Sequence, residues 1–264
     1  MSTNINIYKY PRTQHIEGSG IQRGDEDLAL IPLQEFAGRD LVVEEKMDGA
    51  NTAISFDSQG QLLLQSRGHF LNGGPREKQF HLFKTWASRY TFELWDVLGE
   101  RYVLYGEWLY AKHTVFYTDL PHYFMEFDIL DKRTGRFLST QRRQELLRPL
   151  PFVVSVKVLY TGAIQTLQEL TALIGHSHFI NKEHLDILQA NCRSRGLDVQ
   201  RVLKETDTSP LMEGLYIKVE EQGEVKERYK YVRSSFLQTI FDSESHWLDR
   251  PILPNRLRLD IELF

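Results

Sequence analysis

Short apolar segments of strand length recur along this chain, and several of them carry acidic residues in their interior. Residues 102–110 and 122–130 are rich in Tyr, Phe, Val and Ile, yet they contain Glu107, Glu126 and Asp128. Aromatic and β-branched residues favour strands, whereas a buried carboxylate is costly unless it has a partner or a ligand. The pattern predicts a sheet whose buried carboxylates each have a partner or a ligand.

Further extended segments lie on both sides of this region. Residues 41–46 end at the turn Asp48-Gly49, and residues 52–56 and 62–65 flank a polar turn at 57–60, which predicts a hairpin. Alternating patterns return at 213–220 and 225–232, and in the second of these Lys226, Arg228 and Lys230 share one face. Lys46 is therefore expected at the end of a strand.

Apolar residues spaced by three and four predict helices within residues 75–98 and again between about 140 and 210. In the second region one helix is expected to begin at the N-cap Asn181 and to run towards Gly196. We predict an α+β fold of antiparallel sheets flanked by helices, with one domain over residues 1–240 and a helical insert at about 140–210. Residues 241–264, with Pro251 and Pro254, are expected to form a tail packed on that domain.

The composition restricts the environment and the partners of the chain. A net charge of −4 excludes a general basic coat, so any contact with nucleic acid requires a local patch. The single Cys192 cannot form an intramolecular disulfide, the residues after Met1 do not resemble a secretory signal, and no apolar run could span a bilayer. These features predict a protein of the reducing cytoplasm.

Six short motifs follow one another in the chain. They are Lys46-Met47-Asp48-Gly49, Ser66-Arg67-Gly68, Tyr105-Gly106-Glu107-Trp108, Glu126-Phe127-Asp128-Ile129, Glu213-Gly214-Leu215-Tyr216-Ile217-Lys218 and Arg228-Tyr229-Lys230. The first motif alone is common by chance, and its significance comes from the order of the whole set.

This ordered set resembles motifs I, Ia, III, IIIa, IV and V of the covalent nucleotidyltransferases, which include RNA ligases, DNA ligases and messenger RNA capping enzymes. The Gly-Glu-Trp-Leu form of motif III and the Phe-Asp-Ile form of motif IIIa look most like RNA ligases related to phage RNA ligase 2. The resemblance implies the nucleotidyltransferase fold. It also implies an ATP-dependent RNA ligase that joins 5′-phosphate and 3′-hydroxyl ends through lysyl-AMP and RNA-adenylate intermediates.

The resemblance assigns the catalytic steps to four residues. Lys46 is implied to attack the α-phosphate of ATP, which requires a neutral amine and hence a lowered pKa. Arg228 and Lys230, together with a divalent cation, are implied to supply the positive field around the triphosphate. Glu213 is implied to bind that cation, Mg²⁺ or Mn²⁺, because hard cations prefer oxygen ligands.

The resemblance also implies a set of residues that bind the nucleotide. Glu107 would hold the ribose hydroxyls, Phe127 would stack on adenine, Arg67 would contact the ribose or a phosphate, Lys218 would lie near the phosphates, Glu45 would border the adenine, and Asp48 would fix the motif I turn or touch the ligand. Phe127 fits a place in the core equally well, since aromatic residues of strands are usually buried. Motif V also has an alternative register that pairs Lys230 with Arg233.

Two other sequence features have simpler interpretations. Six basic residues between Lys132 and Arg148 fit either a solvated helix face or an RNA phosphate contact. His176, His178, His184 and Cys192 match none of the common zinc-ligand spacings, so we do not predict a metal site there.

Three rival functions share these motifs: a DNA ligase, a capping-type guanylyltransferase, and a nucleotide- or RNA-binding module that lacks catalysis. Only about thirty residues follow Arg233, too few for the OB-fold that most DNA ligases carry there. The expected partner is RNA with broken or nicked strands, with an end-healing kinase or phosphatase as a candidate upstream enzyme. The sequence leaves the oligomeric state open.

Overall fold

A computed structural model describes residues 6–21, 24–243 and 250–264, so residues 244–249 of the expected tail lie outside the described residues. The strands are β1 (Gln14–Ile16), β2 (Leu30–Ile31), β3 (Leu41–Lys46), β4 (Ala50–Phe56), β5 (Leu62–Ser66), β6 (Tyr102–Trp108), β7 (Phe124–Asp131), β8 (Arg136–Leu138), β9 (Val154–Ser155), β10 (Val158–Gly162), β11 (Gly214–Glu221) and β12 (Glu224–Val232). The α-helices are α1 (His81–Arg89), α2 (Thr91–Leu98), α3 (Thr140–Leu147), α4 (Leu167–Thr171), α5 (His184–Ser194), α6 (Val199–Lys204) and α7 (Ser234–Ser243).

The described strands form one large sheet. Its main path runs β10-β3-β11-β12-β8-β7-β6-β4-β5, and neighbours along this path are antiparallel. Three short parallel pairings extend it, in which β1 pairs with β12 and with β2, and β9 pairs with β7. The predicted antiparallel α+β architecture is confirmed. Among the described residues, no helix is long and apolar enough to cross a membrane.

The hairpin predicted around residues 57–60 forms between β4 and β5, with Thr52 opposite Ser66. Its turn depends on Asp57, whose carboxylate accepts hydrogen bonds from the backbone N–H groups of Gln59 and Gln61 at 2.9 and 2.8 Å. Asp side chains commonly stabilise turns by bonding to the backbone a few residues ahead. The hairpin therefore follows from local sequence chemistry.

The stretch predicted as a helical insert contains α3 to α6 but also β9 and β10. β10 pairs with β3 at the edge of the sheet, so part of this stretch belongs to the central architecture. The extended segments are short, and Lys157 interrupts their β-branched residues, so the longer helical pattern dominated the prediction. Helix α5 begins at His184 rather than just after Asn181, whose side chain instead accepts a hydrogen bond from the N–H of Glu183 at 3.0 Å in the turn before the helix.

Two of the apolar cores among the described residues hold most of the strands that carry the motifs. One core packs α1 and α2 against β4, β6 and β7 through residues such as Phe83, Trp108 and Phe124. The other packs α4 and the 3-10 helix Leu33–Glu35 against β3, β11 and β12. Because both cores clamp these strands, the strand ends are held in fixed positions.

A network of buried charges, here called the ion cluster, provides the partners of Glu126 and Asp128, two of the acidic residues predicted inside strands. It consists of Glu44, Glu126, Asp128, Arg143 and Lys218, whose side chains are at most 2% exposed. Arg143 of α3 contacts Glu44 at 2.5 Å and Glu126 at 2.6 Å, and Lys218 contacts Glu44 at 2.9 Å and Asp128 at 3.3 Å. Buried charges are tolerated only with such partners.

We expect Arg143→Met to lower the free energy of unfolding by about 3 to 5 kcal/mol, because it leaves the buried Glu126 without its paired cation and Glu44 with Lys218 alone. Arg136→Met is the matched control. Arg136 pairs with Glu224 at 2.7 Å, but its side chain is 61% exposed, and exposed pairs contribute less than about 1 kcal/mol. Urea denaturation followed by circular dichroism measures both, and equal small losses would contradict the role of the ion cluster.

Candidate active site

A cavity of about 850 Å³ opens among the ends of β3, β6, β11 and β12. Eight of the ten residues singled out from the sequence line it, and together they represent all six motifs. They are Glu45, Lys46, Asp48, Arg67, Glu107, Phe127, Glu213 and Lys230. The fold thus brings segments far apart in the chain onto one surface.

The centre of this surface is the contact between Lys46 and Glu213. Lys46 is the last residue of β3 and lies opposite Gly214 in the register with β11. A Cβ atom at Gly214 would lie 1.9 Å from the carbonyl oxygen of Tyr231, so only glycine lets β11 approach β12 this closely. The neighbouring Glu213 carboxylate then lies 2.7 Å from the Lys46 Nζ atom.

Glu107 reaches the same place from β6. Its carboxylate accepts a hydrogen bond from the N–H of Gly49 at 3.1 Å, which ties the turn of motif I to the strand of motif III. A Cβ atom at Gly49 would lie 2.7 Å from the carbonyl oxygen of Trp108, so this turn can pack against β6 only with glycine. The turn of motif I therefore packs directly against the strand of motif III.

Carboxylates control the electrostatics around Lys46. Burial raises the pKa of Glu107 to about 8 and that of Glu213 to about 7, although the Lys46 ammonium opposes both shifts. Burial alone would lower the pKa of Lys46, but the charges of Glu213 and Glu107 outweigh it and raise that pKa. The sequence analysis predicts that nearby cations lower the pKa of Lys46. The neighbouring carboxylates instead raise this pKa and keep the side chain protonated.

The donor set fits a divalent cation that is shared with a bound phosphate. Glu107 and Glu213 present two hard oxygen donors to one cavity, and the charge of Glu213 raises the pKa of Glu107. Within the described ranges, no group of three or more His, Cys, Asp or Glu residues could hold a metal ion. Mg²⁺ is commonly held by one or two carboxylates together with water and substrate phosphates.

Asp48 fixes a distant loop to the motif I turn. One carboxylate oxygen accepts hydrogen bonds from the N–H groups of Thr114 and Val115, both at 2.7 Å, and the Asp48 N–H donates to the Tyr117 hydroxyl at 2.8 Å. The loop after β6 is therefore held over one side of the cavity. The sequence predicts that Asp48 fixes the motif I turn or touches the ligand, and it gives no sign of this loop because Thr114 and Val115 lie more than 60 residues away.

The residues implied to surround adenine and ribose occupy different depths. Phe127 is half-buried, packs edge-on against Tyr10 with ring centroids 5.1 Å apart, and has a side that lines the cavity, so it serves both core and site. Arg67 is exposed at the cavity. Glu45 is 2% exposed, and its carboxylate accepts hydrogen bonds from the Ser177 hydroxyl at 2.5 Å and the His178 N–H at 3.2 Å.

Lys218 and Arg228 do not line the cavity. Lys218 is fully buried in the ion cluster and donates to the carbonyl oxygen of Phe127. Arg228 pairs with Asp128 at 3.1 Å, and its guanidinium carbon lies 3.6 Å from the centroid of the Phe137 ring. Both side chains lie in buried ion pairs next to the cavity. The phosphate contacts that the resemblance implies for them stay a prediction.

Two other sequence predictions concern basic residues: the alternative register of motif V and a basic patch at 132–148. Arg233 donates to the carbonyl oxygen of Met212 and to Asp207, and it does not line the cavity, so Lys230 represents motif V there. The basic residues between 132 and 148 do not form one patch, because Arg143 is buried and Arg136 pairs with Glu224.

Several cavity residues had no motif signal in the sequence. They are Tyr10, Pro11, Thr13 and Asp25 before β3, and Leu237, Ile240, Phe241 and Arg250 after β12. Asp25 contacts the Lys230 Nζ atom at 2.5 Å. Only the fold brings these flanking segments to the cavity.

Comparisons with known proteins identify a family and a shared fold. The family model described as RNA ligase matches residues 39–232. The structure of one mutant of the Naegleria gruberi RNA ligase, with AMP and Mn, has 17% identity and a TM-score of 0.56, and the match covers 89% of this chain and 59% of that chain. For another mutant of the same ligase, with ATP and Mn, these values are 17%, 0.53, 80% and 54%.

These structures are longer than this chain, which spans between 54% and 59% of their length in the two matches. At this level of identity, the likeness shows the fold. Among curated proteins, no sequence matches.

We expect Glu107→Gln to stabilise the protein more at pH 9 than at pH 5. The folded-state pKa of about 8 lies above the ordinary value of 4.5. Between these values the unfolded state releases the proton while the folded state keeps it, so stability falls as the pH rises from about 4.5 to about 8. The variant should gain about 5 °C in melting temperature at pH 9 and little at pH 5. Glu93→Gln, on the exposed side of α2, is the control, and equal gains at both pH values would contradict the buried carboxyl.

Proposed function

The chain belongs to the RNA ligase family, and from this premise we propose that it is an ATP-dependent RNA ligase. The observation that carries the proposal is the Lys46–Glu213 contact of 2.7 Å at the centre of a cavity to which all six motifs contribute. The cavity volume of about 850 Å³ lies within the range of small-molecule sites.

In the first step the Nζ atom of Lys46 attacks the α-phosphorus of ATP, the bond to the β-phosphate oxygen breaks, and pyrophosphate leaves. The Lys46 ammonium must lose one proton before the attack, and the nitrogen gives up a second proton to solvent as the phosphoramidate bond to AMP forms. The Glu213 carboxylate is in hydrogen-bond contact with this nitrogen and is placed to receive the first proton. Lys230 lines the same cavity and would neutralise charge on the triphosphate.

A Mg²⁺ or Mn²⁺ ion held by Glu213, with Glu107 nearby, would supply positive charge that favours the neutral form of Lys46 and neutralises the phosphates. Glu107 would hold the ribose, Phe127 would offer its exposed side to adenine, and Arg67 would contact the ribose or a phosphate. Glu45 and Asp48, held by the 176–181 and 113–117 segments, would keep the walls of the nucleotide pocket in place. Lys218 and Arg228 would support this pocket through the buried charges beneath it.

In the later steps AMP passes from Lys46 to the 5′-phosphate of one RNA strand, and the 3′-hydroxyl of the other strand displaces AMP. Each of the three steps is a displacement at phosphorus. Lys230 and a bound divalent cation would therefore neutralise phosphate charge in all three. Such ends require an upstream kinase or phosphatase after most breaks, and we propose such a partner. We also propose a cytoplasmic setting, in keeping with the buried free thiol of Cys192.

We propose that the domain of residues 1–240 carries this activity and that the chain is related to the phage RNA ligase 2 group through its forms of motifs III and IIIa. Residues 250–264 support a packed tail, since Pro254 bridges to Ala111 and Leu257 to Leu120.

We expect the purified protein to acquire covalent AMP from α-labelled ATP with Mg²⁺ or Mn²⁺, and Lys46→Ala to lose the label entirely, because no other group replaces its nitrogen. Lys226→Ala is the matched control. Lys226 lies on β12 but pairs with Glu224 at 2.8 Å and does not line the cavity. A denaturing gel reads the result, and a label from GTP but not ATP would favour a capping-type guanylyltransferase.

Sealing of strand ends tests the substrate. We expect joined products from 5′-phosphate and 3′-hydroxyl RNA ends, and a marked loss when the strand that supplies the 3′-hydroxyl is entirely DNA, because the 2′-hydroxyl distinguishes the two sugars. Equal sealing of RNA and DNA would contradict the RNA assignment. Binding of ATP and RNA without any covalent AMP would favour the binding module.

A further inference from the structure

Asp25 lies outside the region that matches the RNA ligase family, yet it lines the cavity beside Lys230. Its Oδ2 atom is 2.5 Å from the Lys230 Nζ atom, and both side chains are 12% exposed. The N-terminal segment reaches this place because β1 pairs in parallel with β12, which puts His15 opposite Lys230.

Asp25 is itself held by a chain of hydrogen bonds that begins and ends on β12. The N–H of Val232 donates to the Ser19 hydroxyl at 2.9 Å, and Ser19 is bonded to Nδ1 of His15 at 2.8 Å. Nε2 of His15 lies 3.3 Å from the Asp25 carboxylate. Since a carboxylate only accepts, His15 donates from Nε2 to Asp25.

The electrostatics agree with this geometry. Burial would raise the pKa of Asp25, but its bond to Lys230 and those to Arg12 and His15 outweigh burial and lower it to about 2. Burial and the charge of Lys46 lower the pKa of Lys230, and Asp25 opposes that shift. Burial also lowers the pKa of His15, which favours its neutral form.

We propose that Asp25 is a positioning residue that holds the Lys230 ammonium on the wall of the cavity, where the triphosphate of ATP would meet it. Lys230 has a long, flexible side chain, and a fixed partner reduces the number of conformations it can adopt. His15 and Ser19 fix the partner in turn. The inference rests on the proposed function, because it assigns the triphosphate to this wall.

The test measures the rate of covalent AMP formation in a double-mutant cycle of Asp25→Asn and Lys230→Gln. Removing a group that orients an active-site residue commonly costs about tenfold, and we expect that loss for Asp25→Asn when Lys230 is present. In the Lys230→Gln background the same change should cost less than about twofold, because coupled residues are not additive. An equal loss in both backgrounds would mean that Asp25 acts on folding and would overturn the proposal.

Asp27→Asn is the matched control. Asp27 binds the same Arg12 at 2.7 Å, but its side chain is 69% exposed and it does not line the cavity. We expect its labelling rate to stay within about twofold of wild type, as for exposed pairs in general.

Asp25→Glu provides a second variant that keeps the negative charge, with melting curves recorded for each protein. It should label faster than Asp25→Asn, and a rate no higher than that of Asp25→Asn would overturn the proposal. A wild-type protein that forms no covalent AMP would overturn the proposed function and this inference together. Wild-type labelling that Asp25→Asn does not reduce would overturn the inference alone.

Discussion

Charge pairs buried between β3, β7, β11 and α3 limit how the strands of this sheet can be arranged. Glu44 belongs to β3, Glu126 and Asp128 to β7, Lys218 to β11 and Arg143 to α3, so the ion cluster joins the two parts of the sheet through charge pairs. With Arg228 bound to Asp128, three carboxylates meet three cations in the interior. Because a buried charge without its partner is so unfavourable, this arrangement specifies how the strands approach one another.

The cavity above the cluster lacks this balance of charge around Lys46. Around Lys46 the carboxylates of Glu107 and Glu213 dominate, and burial raises the pKa of both. A site of this kind holds acids at a cost in stability, which a bound divalent cation would offset. Strain and unfavourable charge at functional sites are common where binding of a ligand is part of the chemistry.

The segments before and after the family region complete this site. β1 extends the sheet next to β12 and delivers Asp25 to Lys230, whereas α7 and Arg250 close another side of the cavity. The loop held by Asp48 forms a further wall. The walls of the cavity therefore come from the motifs and from other parts of the chain together.

The amino-acid pattern was enough to predict the type of fold, the strands and hairpin around motif I, and the six motifs, seven of whose predicted residues line the cavity together with Glu45. These features are local, since side-chain alternation, turn residues and motif order are written in neighbouring positions. The tertiary structure decided that Lys218 and Arg228 lie beneath the cavity, that β10 joins the sheet, and that Asp25 and Asp48 reach distant partners. Charge pairing and strand order depend on contacts between residues far apart in the chain, such as Arg143 with Glu44, and no local pattern specifies which groups will meet.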